Sequence, residues 1–132
     1  MLPRPFLDAT GVTRRNAARI ALALALGGVG VAHFLSPRPF VDHLPPETPA
    51  RLGIVHATGA IEIVLAALLL VARRGGRPVV GRITAAYLVA VFPGNLYVAA
   101  AGVPIYPEPW LAWARLPFQP LFIAWAILST RR

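Results

Sequence analysis

Four long apolar stretches, separated by short polar segments, dominate the chain. They cover residues 17–35, 52–72, 79–102 and 110–130. Helices of these lengths are roughly 28–36 Å long, which matches a membrane hydrocarbon core of about 30 Å. Apolar residues surround each stretch and do not form a single stripe, as expected for helices in lipid. The pattern predicts an all-α, integral membrane four-helix bundle with up-down-up-down order, in one domain spanning residues 1–132.

The composition strengthens the membrane interpretation. Hydrophobic residues make up 57% of the chain and charged residues 14%, against about 25% charged in typical soluble domains. The chain contains no cysteine, which excludes thiol–disulfide chemistry and cysteine metal sites.

All 13 basic side chains are arginines, and the net charge is +8. No motif that reads nucleic acid accompanies them, so a nucleic-acid partner is not predicted. Ten arginines lie on one side of the predicted membrane, in the N-terminal segment, the 73–82 segment and the C-terminal tail. The other side has Arg38, Arg51 and Arg115. By the positive-inside rule, this bias predicts a multi-pass cell (inner) membrane protein with both termini in the cytoplasm.

The first stretch also fits the description of a signal peptide, since a basic start precedes an apolar run. Its length, and the lack of a polar segment before His33 and Phe34, favour a membrane span. The next connection, residues 36–51, contains five prolines and is predicted to be a stiff, semi-extended cap. The connection at 73–77 is short and basic.

Polar side chains within the spans share one predicted depth. Measured from the span ends at 1.5 Å per residue, they lie in the non-cytoplasmic half of the membrane. The inner halves of the first three spans are almost purely apolar, with Arg19 and Arg82 near the inner edge. Because unpaired polar groups are costly in lipid, these side chains should meet in an outward-facing pocket. The candidate ligand-binding residues are His33, Glu62, Asn95, Arg115 and Gln119.

Each candidate also has a structural interpretation. Glu62 is either protonated by desolvation or ionised beside Arg115, and it serves either function or helix register. Arg115 either joins the pocket or extends to the membrane interface. His33, Asn95 and Gln119 are also typical interhelical hydrogen-bonding residues. A metal site is not predicted, because His33, His56 and Glu62 lack close ligand spacing.

Two further features concern helix geometry. Pro93 should bend the third span and leave the carbonyl of Val89 without its helical partner. A kink there serves either packing or the shape of a binding cavity. Small residues suited to close helix packing occur on the first two spans; they are Gly27, Gly28, Gly30, Gly59 and Ala66.

Four ordered blocks resemble the DoxX family of small bacterial membrane proteins. The blocks are "GVAHFLSPRPFVDHLPP", "GAIEI", "VFPGNLYVA" and "RLPFQPLFIAWA", between Gly30 and Ile127. The resemblance implies a four-helix membrane bundle and a loose link to quinone-dependent redox systems. It also places the five candidate residues at the polar positions of the family.

The leading functional hypothesis is an accessory or binding membrane subunit whose outward pocket takes a small quinone- or lipid-like molecule. Its partners would be the bilayer, a membrane redox protein and a second copy of the chain. The alternatives are a small-solute or proton-coupled transporter using Glu62, and a purely structural membrane partner. No nucleophile–base pair, phosphate loop or HExxH motif is present, so an enzyme is disfavoured and any catalysis stays open.

Overall fold

The computed structural model describes the backbone of residues 4–131 and the side chains of residues 13–131. Six helices and no strand occur in this part of the chain. In chain order they are α1 Arg4–Leu35, α2 Arg38–Val41, α3 Arg51–Val71, α4 Arg77–Ala101, α5 Pro109–Arg115 and α6 Phe118–Ser129.

Four helical stretches are long and apolar enough to cross a membrane. They are Thr13–Leu35 within α1, Arg51–Val71 (α3), Arg77–Ala101 (α4), and Pro109–Ser129, which combines α5 and α6. Many large side chains on these stretches, such as Leu24, Val71, Val89 and Leu121, are more than half exposed. Such an apolar perimeter fits a surface that faces lipid. The prediction of an all-α, four-span membrane protein is confirmed.

The chain reverses direction at each connection, which divides the bundle into two ends. The arginine-rich end contains residues 13–19, the 72–76 connection and residues 129–131. The proline-rich end contains the connections at 36–50 and 102–108. Span α1 packs most extensively against α3, while α4 packs chiefly against α6, and α1 also contacts α6.

Two predicted boundaries were wrong. α1 begins at Arg4, not at residue 17, because no proline interrupts the chain between Pro5 and the end of α1, so the helix can extend beyond the apolar stretch. The 36–51 connection was predicted to be semi-extended, yet it contains the short helix α2. Pro39 lies in the first turn of α2, where the missing N–H of proline costs no helical hydrogen bond.

The fourth span is broken, contrary to the predicted continuous helix over 110–130. Pro117 and Pro120 lack the N–H groups that would bond to the carbonyls of Trp113 and Leu116. Those two carbonyls instead accept hydrogen bonds from the N–H groups three residues later, of Leu116 and Gln119, each 3.2 Å long. Such bonds belong to a tighter helical turn than that of an α-helix. The proline pair therefore divides the span into α5 and α6.

Glycines bring two pairs of spans close together. A Cβ on Gly59 would lie 2.6 Å from His33 Cβ and 3.0 Å from the Gly30 carbonyl oxygen. α1 and α3 therefore cross at Gly30 and Gly59, as predicted, and a Cβ on Gly27 would touch Ala66 at 3.2 Å. The prediction for Gly28 was wrong, because no atom of another described helix lies within 4 Å of its Cβ position.

Gly81 has the same role between α4 and α6. A Cβ on Gly81 would lie 2.8 Å from the Ala126 carbonyl oxygen and collide with Thr130 Oγ1. Leucines and alanines fill the interior between these contacts. The bundle thus has two close helix pairs joined by an apolar core.

Candidate functional site

The crossing of α1 and α3 places His33 against Glu62. His33 Nδ1 lies 3.4 Å from Glu62 Oε2, and both residues are buried, with 6% and 7% exposure. His33 Nδ1 also lies 2.8 Å from the Val29 carbonyl oxygen. A carbonyl only accepts hydrogen bonds, so Nδ1 carries the proton and directs it to Val29. Glu62 Oε2 then receives no hydrogen bond among the described residues.

Tyr87 of α4 completes this cluster. Its hydroxyl donates to Glu62 Oε1 over 2.7 Å and lies 3.4 Å from the Thr58 carbonyl oxygen. Glu62 is therefore held between three spans, α1, α3 and α4. Tyr87 was not among the predicted site residues, although a hydroxyl within an apolar span was an available signal. We call His33, Glu62 and Tyr87 the carboxylate cluster.

Aromatic side chains from the proline-rich end cover this cluster. The Phe40 ring stacks on the His33 ring with centroids 3.8 Å apart, and the His43 ring lies 6.4 Å beyond Phe40. His43 packs beside Gly94, where a Cβ would lie 3.5 Å from the His43 carbonyl oxygen. The connection between α1 and α3 therefore packs over both α1 and the C-terminal third of α4.

His43 lies outside the spans, and its pKa is below the ordinary value for histidine. Burial is the main cause, and the nearby Arg115 cation acts in the same direction. The hydrogen bond between His43 Nδ1 and the Pro39 carbonyl, 2.7 Å long, acts in the opposite direction. His43 is therefore neutral at about pH 7, and its Nδ1–H fastens the turn at α2.

Asn95 and Gln119 form a second pair between α4 and α6. Asn95 Nδ2 donates to Gln119 Oε1 over 3.4 Å, and Gln119 Nε2 donates to the Leu88 carbonyl over 2.5 Å. The Leu88 carbonyl lies one residue before the Val89 carbonyl, which Pro93 was predicted to leave without its helical partner. Leu88 directly follows Tyr87, so the pair adjoins the carboxylate cluster through α4.

Arg115 contacts neither the carboxylate cluster nor the Asn95–Gln119 pair among the described contacts. Its guanidinium carbon lies 5.2 Å from the centroid of the Tyr106 ring, within the range of a cation–π contact. Glu62 contacts His33 and Tyr87 instead. The predicted alternative of an ionised Glu62 beside Arg115 is therefore not supported by a contact between these two residues. The structure therefore joins His33 with Glu62 and Asn95 with Gln119, and it places Arg115 apart from both pairs.

No group of three metal-ligating side chains lies together among residues 13–131. His56, the third residue of the disfavoured metal set, stacks on the Phe34 ring with centroids 5.1 Å apart. Its ring thus contacts an aromatic side chain of α1.

The arginine-rich end contains polar structure that sequence reasoning missed. Arg19 was predicted to lie near the inner edge, and its burial was not predicted: it is only 5% exposed and donates to the Leu69 carbonyl. Asn16 Oδ1 accepts from Arg19 over 3.4 Å and from Arg77 over 3.3 Å. Trp125 Nε1 donates to the Ala18 carbonyl over 2.8 Å. These bonds join α1 to α3, α4 and α6.

Two cavities also open at the arginine-rich end, of about 390 and 370 Å³. Arginines contribute to the lining of both. The only feature of the sequence that pointed to these cavities was the density of arginines. Arginines that flank membrane spans produce the same density without any cavity. The cavities depend on how the connection at 72–76 meets the end of α6.

Comparison with known proteins identifies a family for this chain but no relative of known function. No curated protein and no solved structure matches the chain, and no finding links it to the DoxX family. One family model matches residues 12–130, nearly the whole chain, under the description "Domain of unknown function (DUF8561)". The chain therefore belongs to the DUF8561 family.

Proposed function

We propose that this membrane protein is an accessory subunit that binds a small quinone- or lipid-like molecule at the carboxylate cluster. The observation that carries the proposal is Glu62 Oε2, a buried carboxylate oxygen that receives no hydrogen bond among the described residues. A buried acceptor without a donor costs about 1–3 kcal/mol, and more when it is charged. A ligand hydroxyl would supply the missing donor.

A reduced quinone suits the surroundings of Glu62. Its hydroxyl groups donate hydrogen bonds, and its flat ring could stack beside aromatic side chains such as Phe40, which itself stacks on His33 with centroids 3.8 Å apart. Apolar neighbours such as Ile61 and Ile63 are exposed on the same helix and would face lipid, from which such molecules arrive. Asn95 and Gln119 would contribute further polar contacts through α4. A membrane redox partner, as the DoxX resemblance implies, would exchange electrons with the quinone, and a second copy of the chain is a further candidate partner.

The test is a titration of purified protein in neutral detergent with decylubiquinol and decylubiquinone, followed by tryptophan fluorescence. We expect saturable binding of decylubiquinol that weakens roughly tenfold or more in Glu62→Gln, because hydrogen bonds to charged groups are worth about 1.5–3 kcal/mol. The matched control is Glu47→Gln, which alters an exposed carboxylate in the 36–50 connection and should bind normally.

Equal binding by Glu62→Gln and wild type, or no saturable binding of either quinone form, would refute the proposal. Proton-linked solute uptake into liposomes that disappears in Glu62→Gln would favour the transporter alternative. Circular dichroism of both variants establishes that the helices are intact.

We also propose that the carboxylate cluster lies toward the non-cytoplasmic side, with both termini in the cytoplasm. Support comes from the ten arginines at one end against three at the other. Because the chain has no cysteine, single cysteines can report the orientation. In intact cells, Glu47→Cys should react with a membrane-impermeant maleimide, while Gly75→Cys should react only after permeabilisation. The reverse pattern would contradict this orientation.

A further inference from the structure

The smaller cavity at the arginine-rich end has a strongly cationic lining. It measures about 370 Å³, at the lower end of the range of ligand pockets, about 300–1,000 Å³. Four of its seven lining residues are arginines. The lining consists of Arg15, Asn16, Arg74, Gly75, Arg77, Ser129 and Arg131.

Within residues 13–131, the hydrogen-bond partners of these arginines do not compensate their charge. Arg77 donates to the Ala72 carbonyl over 3.1 Å and to Asn16 Oδ1 over 3.3 Å. Arg15 donates to the Arg131 carbonyl over 3.3 Å. All three acceptors are neutral. Among residues 13–131 the acidic side chains are Asp42, Glu47, Glu62 and Glu108, and none of them lies in the segments of the arginine-rich end.

A buried hydroxyl at the same cavity needs a partner. Ser129 is 6% exposed, and its Oγ has no hydrogen-bond partner among the described residues. Ser129 also lines the cavity. A hydroxyl can donate to an anionic oxygen while the guanidinium groups bind the other oxygens. The cavity thus combines several cations with an unused donor.

The lining of the neighbouring cavity favours an amphiphilic ligand over a free anion. It measures about 390 Å³ and shares Gly75 and Arg131 with the cationic cavity. Its other lining residues include Pro78, Val79 and Ile127, and Val79 and Ile127 are exposed on the spans. A cationic cavity that continues into an apolar groove on the lipid-facing surface fits a charged headgroup with an attached acyl chain.

We infer that the cationic cavity binds a phosphate group, and that the favoured source is the headgroup of an anionic phospholipid. Arginine pairs with phosphate through two parallel hydrogen bonds, and basic pockets between membrane helices bind such headgroups. This site is separate from the carboxylate cluster and goes beyond the proposed function.

Native mass spectrometry of the purified protein in neutral detergent tests the inference. The probes are dioctanoyl phosphatidylglycerol, dioctanoyl phosphatidylcholine and inorganic phosphate. The test variant combines Arg74→Gln with Arg131→Gln. The control combines Arg14→Gln with Arg73→Gln, which removes the same charge from the same end but outside the cavity. A further variant, Ser129→Ala, removes the unpartnered hydroxyl.

We expect one phosphatidylglycerol to bind the wild type more tightly than phosphatidylcholine. The test variant should weaken this binding roughly tenfold or more, since it removes charge-assisted contacts from the lining of the cavity. The control removes only long-range attraction that salt screens, so it should change the binding less than about threefold. Ser129→Ala should weaken it severalfold. Binding of the lipid without inorganic phosphate assigns a lipid source, and similar binding of both assigns a free anion; each supports a phosphate site. Equal losses in the test and control variants, or binding of neither anion, would overturn the inference.

Discussion

Gly59→Ala is expected to lower the free energy of unfolding by about 2 kcal/mol, within the range of about 1–3 kcal/mol for overpacking. The new methyl group would lie 2.6 Å from His33 Cβ and 3.0 Å from the Gly30 carbonyl oxygen. Neither atom is the end of a flexible side chain, so α1 and α3 must separate. The measurement is unfolding in mixed micelles of increasing dodecyl sulfate content, followed by circular dichroism.

Gly28→Ala is the matched control on the same helix pair. No atom of another described helix lies within 4 Å of that Cβ position, and alanine favours a helix over glycine by about 1 kcal/mol. The control should therefore be as stable as wild type or slightly more stable. If the two alanine variants unfold alike, α1 and α3 do not cross at Gly59.

Tyr87→Phe is expected to lower the free energy of unfolding by about 1–3 kcal/mol, because Glu62 Oε1 loses its hydrogen-bond donor. Tyr87 donates to that oxygen over 2.7 Å. The variant Glu62→Leu removes the acceptor, so adding Tyr87→Phe to it should cost little. Comparing the single and double variants in the same unfolding assay measures the coupling directly.

Tyr97→Phe is the control for loss of a hydroxyl from α4. Tyr97 is also half-buried, and its hydroxyl is not among the partners of Glu62. We expect a change below about 0.5 kcal/mol, as for substitutions outside specific contacts. An equal effect of Tyr87→Phe with and without the Glu62 carboxylate would show that the hydrogen bond contributes nothing.

The site was predictable from the sequence only in part. The scarcity of ionisable groups within the spans made Glu62 conspicuous, since an intramembrane carboxylate is costly unless it has a partner. Its partner could not be identified in the same way. Arg115 was the obvious cation to pair with Glu62. In the structure, however, Arg115 lies over the Tyr106 ring, and Glu62 contacts His33 and Tyr87.

The broken fourth span illustrates a different limit. Hydropathy over residues 110–130 indicates one apolar stretch, and it is long enough to cross a membrane as α5 and α6 together. The break between them follows from Pro117 and Pro120. Because these prolines have no N–H groups, two carbonyls lose their α-helical partners and accept hydrogen bonds from residues one position closer in the chain. That signal was present in the sequence, but hydropathy does not register it.

What the sequence by itself determined is the number of spans, their approximate bounds and the distance of each polar residue from the ends of its helix, because each helical residue advances about 1.5 Å. The tertiary structure alone decided which faces meet. Helix rotation and pairing are set by contacts between distant residues, such as Gly30 with Gly59 and Gly81 with Thr130. Those contacts bring Tyr87 to Glu62, bury Arg19 and gather arginines around one cavity, none of which follows from spacing along a single helix.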